Sequence, residues 1–183
     1  MTDTPIPDAI IDAFADSQIP LSLTDARQDE EPLRLVNDAF LRMTGYSRDE
    51  VIGRNCRFLQ GDDSQKQKQT RRTIRGDFTA GRDTRVLITN YRKSGEVFDN
   101  FLYIFMLVDL DGTPRYRIGS QFEVPSVGRG RAFRDHADAL RSDLDGLNTA
   151  LDSTRQQLIR TGELVGISVK SLLTARLDML TAA

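Results

Sequence analysis

The sequence has few of the residues from which metal sites and catalytic centres are commonly built. Its 183 residues include one cysteine, one histidine and no tryptophan. A single cysteine, Cys56, makes no internal disulfide, and one histidine is too few for a typical zinc site and makes a histidine-activated nucleophile hard to build. We therefore predict no metal site. Cys56 itself is interpreted as either a small buried hydrophobic residue or a reactive thiol.

Membrane and nucleic-acid signals are missing as well. No run of about 18 apolar residues occurs, and the N-terminus lacks a positively charged start before an apolar stretch, so we predict a cytoplasmic protein without membrane contact. The net charge of −2 and the mixed charges after residue 127 give no basis for a nucleic-acid partner. The length also excludes a sensor joined to a complete kinase, so we expect no enzymatic output.

The patterns that are present predict an α+β domain. Five segments have strand-like composition: Ile19–Thr24, Leu33–Val36, Arg85–Tyr91, Val97–Leu107 and Arg115–Glu123. Helices are predicted over 7–16, with Ile10, Ile11 and Phe14 on one face, over 37–45, where Gly45 closes the turn, after the capping box of Ser47 and Glu50, and over Asp63–Arg75. This order indicates helices packed on one face of an antiparallel sheet.

A seven-residue apolar repeat follows the linker after Pro125. It runs through Ala137, Leu144, Leu151 and Leu158 and continues to Met179. A repeat of this length favours a coiled coil that pairs two chains, and the alternatives are a helix that folds back on its own domain or a hairpin broken near Gly162 and Gly166. The neighbouring His136 is interpreted as a solvated surface residue. The predicted organisation is an N-terminal helical cap over 1–17, a sensor domain over 18–125, and a linker with a helical dimerisation extension over 126–183.

Residues 53–61, GRNCRFLQG, contain the one cysteine in a distinctive setting. Together with 90–95 (NYRKSG), 98–100 (FDN) and 119–121 (GSQ), this stretch resembles the LOV subfamily of PAS domains over roughly residues 18–124. The resemblance implies a five-stranded antiparallel PAS fold that binds flavin mononucleotide (FMN). It also implies a blue-light switch in which Cys56 bonds reversibly to flavin carbon C4a. The chain would be a short LOV photoreceptor, not an enzyme, acting as a homodimer.

FMN requires apolar walls, amides for its pyrimidine edge and cations for its phosphate. The resemblance assigns the phosphate to Arg57 and Arg75, and the length of the preceding segment leaves Arg71 or Arg72 as substitutes for Arg75. Asn90 and Asn100 lie on adjacent predicted strands, where asparagine is rare and a purely structural role is therefore less expected. We predict that both amides face the pyrimidine edge.

The remaining cofactor contacts follow from the resemblance alone. Asn55 and Gln60 would reach the ribityl chain and phosphate. Leu59, Leu102 and Ile118 are candidates for apolar walls, and hydrophobic core explains those three equally well. Gln121 is the predicted amide that rotates when the facing ring nitrogen gains a proton. Two residues depart from the family pattern, Asp99 within the FDN motif and Arg117 four residues before Gln121.

Two rival functions fit the sequence less well. A flavin oxidoreductase would need a dinucleotide or substrate site, and no GxGxxG motif follows a predicted strand. The alternative function is a light-insensitive PAS-type dimerisation or interaction module that has lost its ligand. The presence of Cys56, Asn90, Asn100 and Gln121 together argues against that alternative.

Overall fold

The computed structural model describes residues 5–61, 67–109, 112–125, 129–151 and 156–158. The α-helices are α1 (Asp8–Asp16), α2 (Asp38–Thr44), α3 (Arg48–Val51), α4 (Lys68–Thr79) and α5 (Arg129–Leu151). The strands are β1 (Leu21–Asp25), β2 (Leu33–Val36), β3 (Thr84–Tyr91), β4 (Val97–Asp109), β5 (Pro114–Glu123) and β6 (Gln156–Leu158). A 3₁₀ helix, Cys56–Gln60, lies between α3 and α4.

The strands form one antiparallel sheet in the order β2-β1-β5-β4-β3. All five predicted strands are confirmed, and each end lies within two residues of its predicted position. The sixth strand was not predicted. β6 pairs with Leu107–Asp109 of β4, beyond the point where β3 stops pairing. The C-terminal helix is present as α5, but the seven-residue repeat does not continue as one helix, since Leu158 lies in β6. The repeat positions after Leu158 lie outside the described residues.

One face of the sheet is covered by α1 and α5. Ile10 and Phe14 of α1 are 0% and 2% exposed, and they belong to one core cluster with Ala137, Leu140, Leu144 and Leu147 of α5. Positions four apart lie on the same side of a helix, which explains why Ile10 and Phe14 are buried together. Ile11 is 41% exposed, so its predicted place on the buried face was wrong. For residues 129–151, α5 thus folds back on its own domain, as one of the alternatives to the coiled coil predicted.

The opposite face carries α2, α3, the 3₁₀ helix and α4. Asn37 begins α2, where its side-chain oxygen accepts from the backbone N–H of Phe40 at 3.0 Å, and Gly45 ends the helix with φ of 77°. The predicted capping box between Ser47 and Glu50 is confirmed. These caps fix short helices that have little stability of their own. Phe40, Val51 and Leu59 form part of a second apolar cluster beneath them.

Helix α4 differs from its prediction. The sequence predicts a helix over Asp63–Arg75, whereas α4 spans Lys68–Thr79, and residues 62–66 lie outside the described residues. The helix continues through Gly76, and its last turn places Phe78 on the wall of a cavity. Within the described ranges, no helix combines the length and the apolar character that a membrane crossing requires.

Candidate functional site

A cavity of about 540 Å³ lies between the sheet and the helices α2 and α4, beside the 3₁₀ helix. Side chains alternate between the two faces of a strand, and the residues of β1, β3, β4 and β5 that line this cavity lie two apart along each strand. The structure brings all ten predicted site residues to its wall. They are Asn55, Cys56, Arg57, Leu59, Gln60, Arg75, Asn90, Asn100, Leu102 and Gln121. Their roles toward a ligand stay predictions.

Cys56 is the first residue of the 3₁₀ helix, an element that the sequence did not predict. Asn55 begins that helix, since its side-chain oxygen accepts from the Arg57 N–H at 2.9 Å. Burial of the sulfur raises the pKa of the Cys56 thiol to about 12, and a hydrogen bond with Ser22 acts weakly in the other direction. The group at the cavity wall is therefore a neutral thiol, not a thiolate that would react unaided.

Asn90 and Asn100 lie on the adjacent strands β3 and β4 and face the cavity from both. Their exposed fractions are 3% and 2%, and the Asn100 Nδ2 donates to the Asn90 Oδ1 at 2.9 Å. The Asn90 Nδ2 donates to the Leu59 carbonyl at 3.3 Å, and the Asn100 Oδ1 accepts from the Phe122 N–H at 3.2 Å. This network fixes two amides at one end of the cavity, as buried polar groups require.

Gln121 faces the same cavity from β5. Its Nε2 donates to the Ser22 Oγ at 3.0 Å, while its Oε1 is buried and has no partner among the residues that the structure describes. Gly119 keeps this corner open, because a Cβ there would lie 2.8 Å from the Ser22 Oγ and 2.9 Å from the Gln121 Nε2. Leaving a buried oxygen unpaired costs about 1–3 kcal/mol, which a ligand that donates a hydrogen bond would recover.

Three arginines approach the cavity from the 3₁₀ helix and α4. Arg57 donates to the Glu30 carboxylate at 2.6 Å and remains 46% exposed. Arg71 donates through its Nε to the Gln60 Oε1 at 2.6 Å. Arg75 lines the cavity and has no side-chain partner within the described part of the chain. Arg71 is thus placed as the sequence allowed, whereas Arg72 does not reach the cavity wall.

Arg117, one of the two departures noted in the sequence, also lies on the cavity wall. Its guanidinium donates to the Glu31 carboxylate, and its central carbon lies 4.0 Å from the ring centroid of Phe78. Burial raises the pKa of the Glu31 carboxyl, and this effect exceeds the attraction of Arg117 and Arg57. Glu30 and Glu31 both have positive φ, at 64° and 45°. Nothing in the sequence indicated that this turn would place two carboxylates at the cavity.

One predicted wall residue is wrong. Ile118 is 1% exposed, but it lies in the core cluster beneath α1 and α5 and does not line the cavity. The reason is strand alternation, because Ile118 is three residues from Gln121 and faces the other side. The same alternation identifies wall residues that were not predicted from the sequence, namely Ile88, Ile104 and Gly119.

His136 was also assigned wrongly. It is partly buried between α5 and β5, with its ring centroid 4.7 Å from that of Phe122 and its Nε2 3.3 Å from the Ser120 Oγ. Burial lowers the pKa of His136 to about 4, so its ring is neutral at pH 7. Since Ser120 and Phe122 flank Gln121, this contact joins the cavity strand to the C-terminal helix.

Comparison with known proteins gives a consistent picture. A family model described as a PAS domain matches residues 24–124. Among solved structures, the LOV protein of Rhodobacter sphaeroides is 34% identical with a TM-score of 0.77, and the match covers 96% of this chain and 94% of that one. The light-state dimer of the fungal blue-light photoreceptor Vivid is 36% identical with a TM-score of 0.54 over 67% of this chain and 83% of that one.

Curated relatives are longer than this chain. A blue-light-activated histidine kinase of Rhizobium johnstonii is 38% identical over 133 residues, which are 73% of this chain and 38% of the kinase. A blue-light photoreceptor of Listeria monocytogenes is 38% identical over 124 residues, which are 68% of this chain and 48% of that protein. The chain thus spans less than half the length of these relatives.

Proposed function

The chain belongs to the PAS domain family and, within it, to the LOV proteins, and from this premise we propose that it is a blue-light photoreceptor. Its cavity would hold FMN, and Cys56 would bond reversibly to the flavin ring. The observation that carries the proposal is the convergence of the one cysteine, two fixed amides and an unpaired Gln121 oxygen on one cavity. No net turnover follows from such a cycle, so we propose a switch without enzymatic activity.

The residues at the cavity fit FMN. A volume of about 540 Å³ lies within the range of small-molecule sites. Leu59, Leu102 and Ile104 supply apolar wall, and the Asn90 and Asn100 amides supply donors and acceptors. The unpaired Gln121 Oε1 is an acceptor that awaits a donor.

The cavity also has cations for the FMN phosphate. Arg57 and Arg75 would hold it, because guanidinium groups match phosphate geometry and both line the cavity. Asn55 and Gln60 would face the ribityl chain. Asn55 already holds Arg57, and Gln60 already holds Arg71, so these two amides would act partly by orienting the arginines.

When bound, the flavin supplies the absorption of blue light and a ring that accepts the thiol. Cys56 would contribute its sulfur to ring carbon C4a and its proton to ring nitrogen N5, so that atoms and electrons balance without another reactant. Its raised pKa supports this role, since the proton must still be on the sulfur before illumination. The 3₁₀ helix holds the thiol at the wall and so supplies proximity.

Gln121 would carry the change toward the C-terminal helix. Its amide presents a donor and an acceptor from one side chain, so rotation can answer a new proton at the facing ring nitrogen. The neighbouring Ser120 and Phe122 lie on the other side of β5 and contact His136 of α5. We propose that light alters the packing of α5 on the sheet and shifts the population between two arrangements.

Homodimerisation belongs to the same proposal. The similar Vivid structure is that of a light-state dimer, which supports association as an output in this family. The apolar residues Ala137, Leu140, Leu144 and Leu147 are buried within the domain. A dimer that used this stripe would therefore require α5 to leave the sheet. Light scattering in the dark and under blue light should show different mass distributions, and identical distributions would contradict this part of the proposal.

The photochemistry is tested with the full chain loaded with FMN. We expect a yellow protein whose blue absorption band bleaches under blue light and returns in the dark. Cys56→Ala should bind FMN within about twofold of the wild-type affinity and should not bleach, because only the bonding atom is lost. Normal cycling of Cys56→Ala would overturn the cysteine mechanism. A wild-type protein that takes up no FMN would instead favour the light-insensitive interaction module.

A further inference from the structure

Arg117 is a largely buried charged side chain on the cavity wall, paired there with Glu31. It lies on β5 in line with Gly119 and Gln121, which face the same cavity. Its side chain is only 10% exposed. Its Nε atom is buried and has no partner among the residues described. A guanidinium in that position places a positive charge beside whatever fills the cavity.

Two neighbours hold the guanidinium in place. Glu31 accepts a hydrogen bond from the Arg117 Nη1, and the Phe78 ring lies 4.0 Å from the guanidinium carbon. Arg117 is 10% exposed and Glu31 26% exposed, so the ion pair is partly shielded from water. Coulomb interactions weaken less in such a place than at a fully solvated surface. The charge of Arg117 therefore acts on the cavity at close range.

The position of Arg117 fits the flavin ring better than the phosphate. A phosphate dianion favours partial solvation, and Arg57 is 46% exposed, whereas Arg117 is 10% exposed. The Glu31 carboxylate bonded to Arg117 is 26% exposed and would repel a phosphate there, whereas the Glu30 carboxylate bonded to Arg57 is 75% exposed and screened by water. The ring carries no full charge in its oxidised form and can approach the pair without that repulsion.

We propose that Arg117 raises the electron affinity of the bound flavin ring, and that Glu31 is the positioning residue that holds Arg117 and balances part of its charge. The inference rests on the proposed binding of FMN. Two-electron reduction with uptake of one proton leaves a negative charge on the ring, which a nearby guanidinium stabilises. The pair thereby sets the electron affinity of the flavin in addition to forming part of the cavity wall.

The test is a dark reductive titration of the FMN-loaded full chain with dithionite and a reference dye. Arg117→Gln removes the positive charge and should lower the midpoint potential. Glu31→Gln leaves that charge unbalanced and should raise it. We expect each change to alter the relative affinity for reduced and oxidised flavin roughly three- to tenfold, where tenfold corresponds to about 30 mV for a two-electron couple. Arg117→Lys, which keeps the charge, should stay closer to wild type than Arg117→Gln.

The opposite signs separate this proposal from a structural role. If the ion pair only stabilises the fold, Arg117→Gln and Glu31→Gln both break it and should act alike. Midpoint-potential shifts of the same sign, or no shifts, would overturn the proposal. An exposed pair, Arg131 and Asp135, gives the matched control, since Arg131→Gln and Asp135→Asn should leave the potential unchanged. Urea unfolding without FMN reports folding of each variant. If Arg117→Gln does not fold, the other two variants test the proposal. The midpoint potential of Glu31→Gln should rise, and that of Arg117→Lys should stay close to the wild-type value.

Two further readouts complete the assignment. Arg117→Gln should weaken FMN and riboflavin binding equally, and a loss confined to FMN would place Arg117 at the phosphate and overturn the proposal. Opposite shifts in a protein that binds FMN but does not bleach would support this inference while the Cys56 mechanism fails. A wild-type chain that binds no FMN would overturn both.

Discussion

On strand β5, Arg117, Gly119 and Gln121 face the cavity, whereas Tyr116 and Ile118 face α1 and α5. Tyr116 and Ile118 are 0% and 1% exposed and sit in a continuous apolar cluster. The cavity side instead carries an unpaired Gln121 oxygen and an unpaired Arg117 nitrogen, counted over the described residues. Burial of apolar side chains on one side of the strand stabilises the fold. The unpaired polar atoms on the other side reduce that stability until a ligand pairs with them.

The two faces of the sheet thus have different tasks. The helix-covered face ties α1 and α5 to the sheet, and the Ser17 hydroxyl at the end of α1 donates to Asp143 of α5. The cavity face holds the proposed photochemistry. Because one strand belongs to both faces, we expect a change at Gln121 to reach Ser120 and Phe122, which contact His136. Substitutions on one face at a time test whether the two faces differ in this way.

The largest effect on stability is expected from the helix-covered face. Phe14→Ala removes a side chain that is 2% exposed and should lower the free energy of unfolding by about 3–5 kcal/mol. Ile11→Ala, three residues away in the same helix and 41% exposed at that position, should cost about 0.5 kcal/mol. Urea denaturation of the protein without FMN measures both. Equal losses would show that α1 is not anchored through Phe14.

A smaller effect should come from the pH dependence at His136. Its folded pKa is lowered to about 4, below the ordinary value of 6.5, so the unfolded chain binds a proton first as the pH falls. The contribution of His136 to the free energy of unfolding is greatest above pH 6.5. It decreases by roughly 1 kcal/mol per pH unit as the pH falls from 6.5 toward 4.

Comparing His136→Gln with wild type isolates the contribution of this histidine. Glu31 and Asp83 have raised pKa values and oppose the trend in both proteins. The difference in unfolding free energy between the two proteins should change across pH 4.5–6.5. A constant difference would mean that the ring is not held neutral against β5.

The smallest effect concerns the cavity face and leaves the fold unchanged. Arg75→Gln removes a cation that lines the cavity and should weaken FMN binding about tenfold, close to the 1.5–3 kcal/mol of a charged hydrogen bond, while riboflavin binding stays the same. Arg72→Gln is the matched control, since Arg72 does not line the cavity. Fluorescence titration measures all four affinities. Equal losses for FMN and riboflavin would show that Arg75 does not contact the phosphate.

Much of the fold was predictable because alternation and capping are local. The five strands, the Ser47 and Glu50 capping box and the turn at Gly45 follow from short stretches of sequence. The site was predictable where motifs carry it, so Cys56 and Gln121 could be named in advance. Ile118 was assigned to the wrong face although its odd spacing from Gln121 already excludes a shared side of the strand.

Other features depend on contacts between distant segments. Glu31 reaches the cavity through a turn with positive φ, a conformation that glutamate seldom adopts. His136 has charged neighbours in sequence, yet packing of α5 places its ring against Phe122. Strand β6 depends on pairing with the end of β4, about 50 residues away in sequence. None of these contacts has a local sequence signal.

Infrared difference spectroscopy of the FMN-loaded wild-type chain tests the central claim most directly. The sequence has one cysteine, and burial keeps its thiol protonated in the dark, so any S–H stretching band belongs to Cys56. We predict that this band disappears under blue light together with the blue absorption of the flavin and that both return in the dark at the same rate. An S–H band that persists while the flavin bleaches would contradict the proposed bond between Cys56 and the ring.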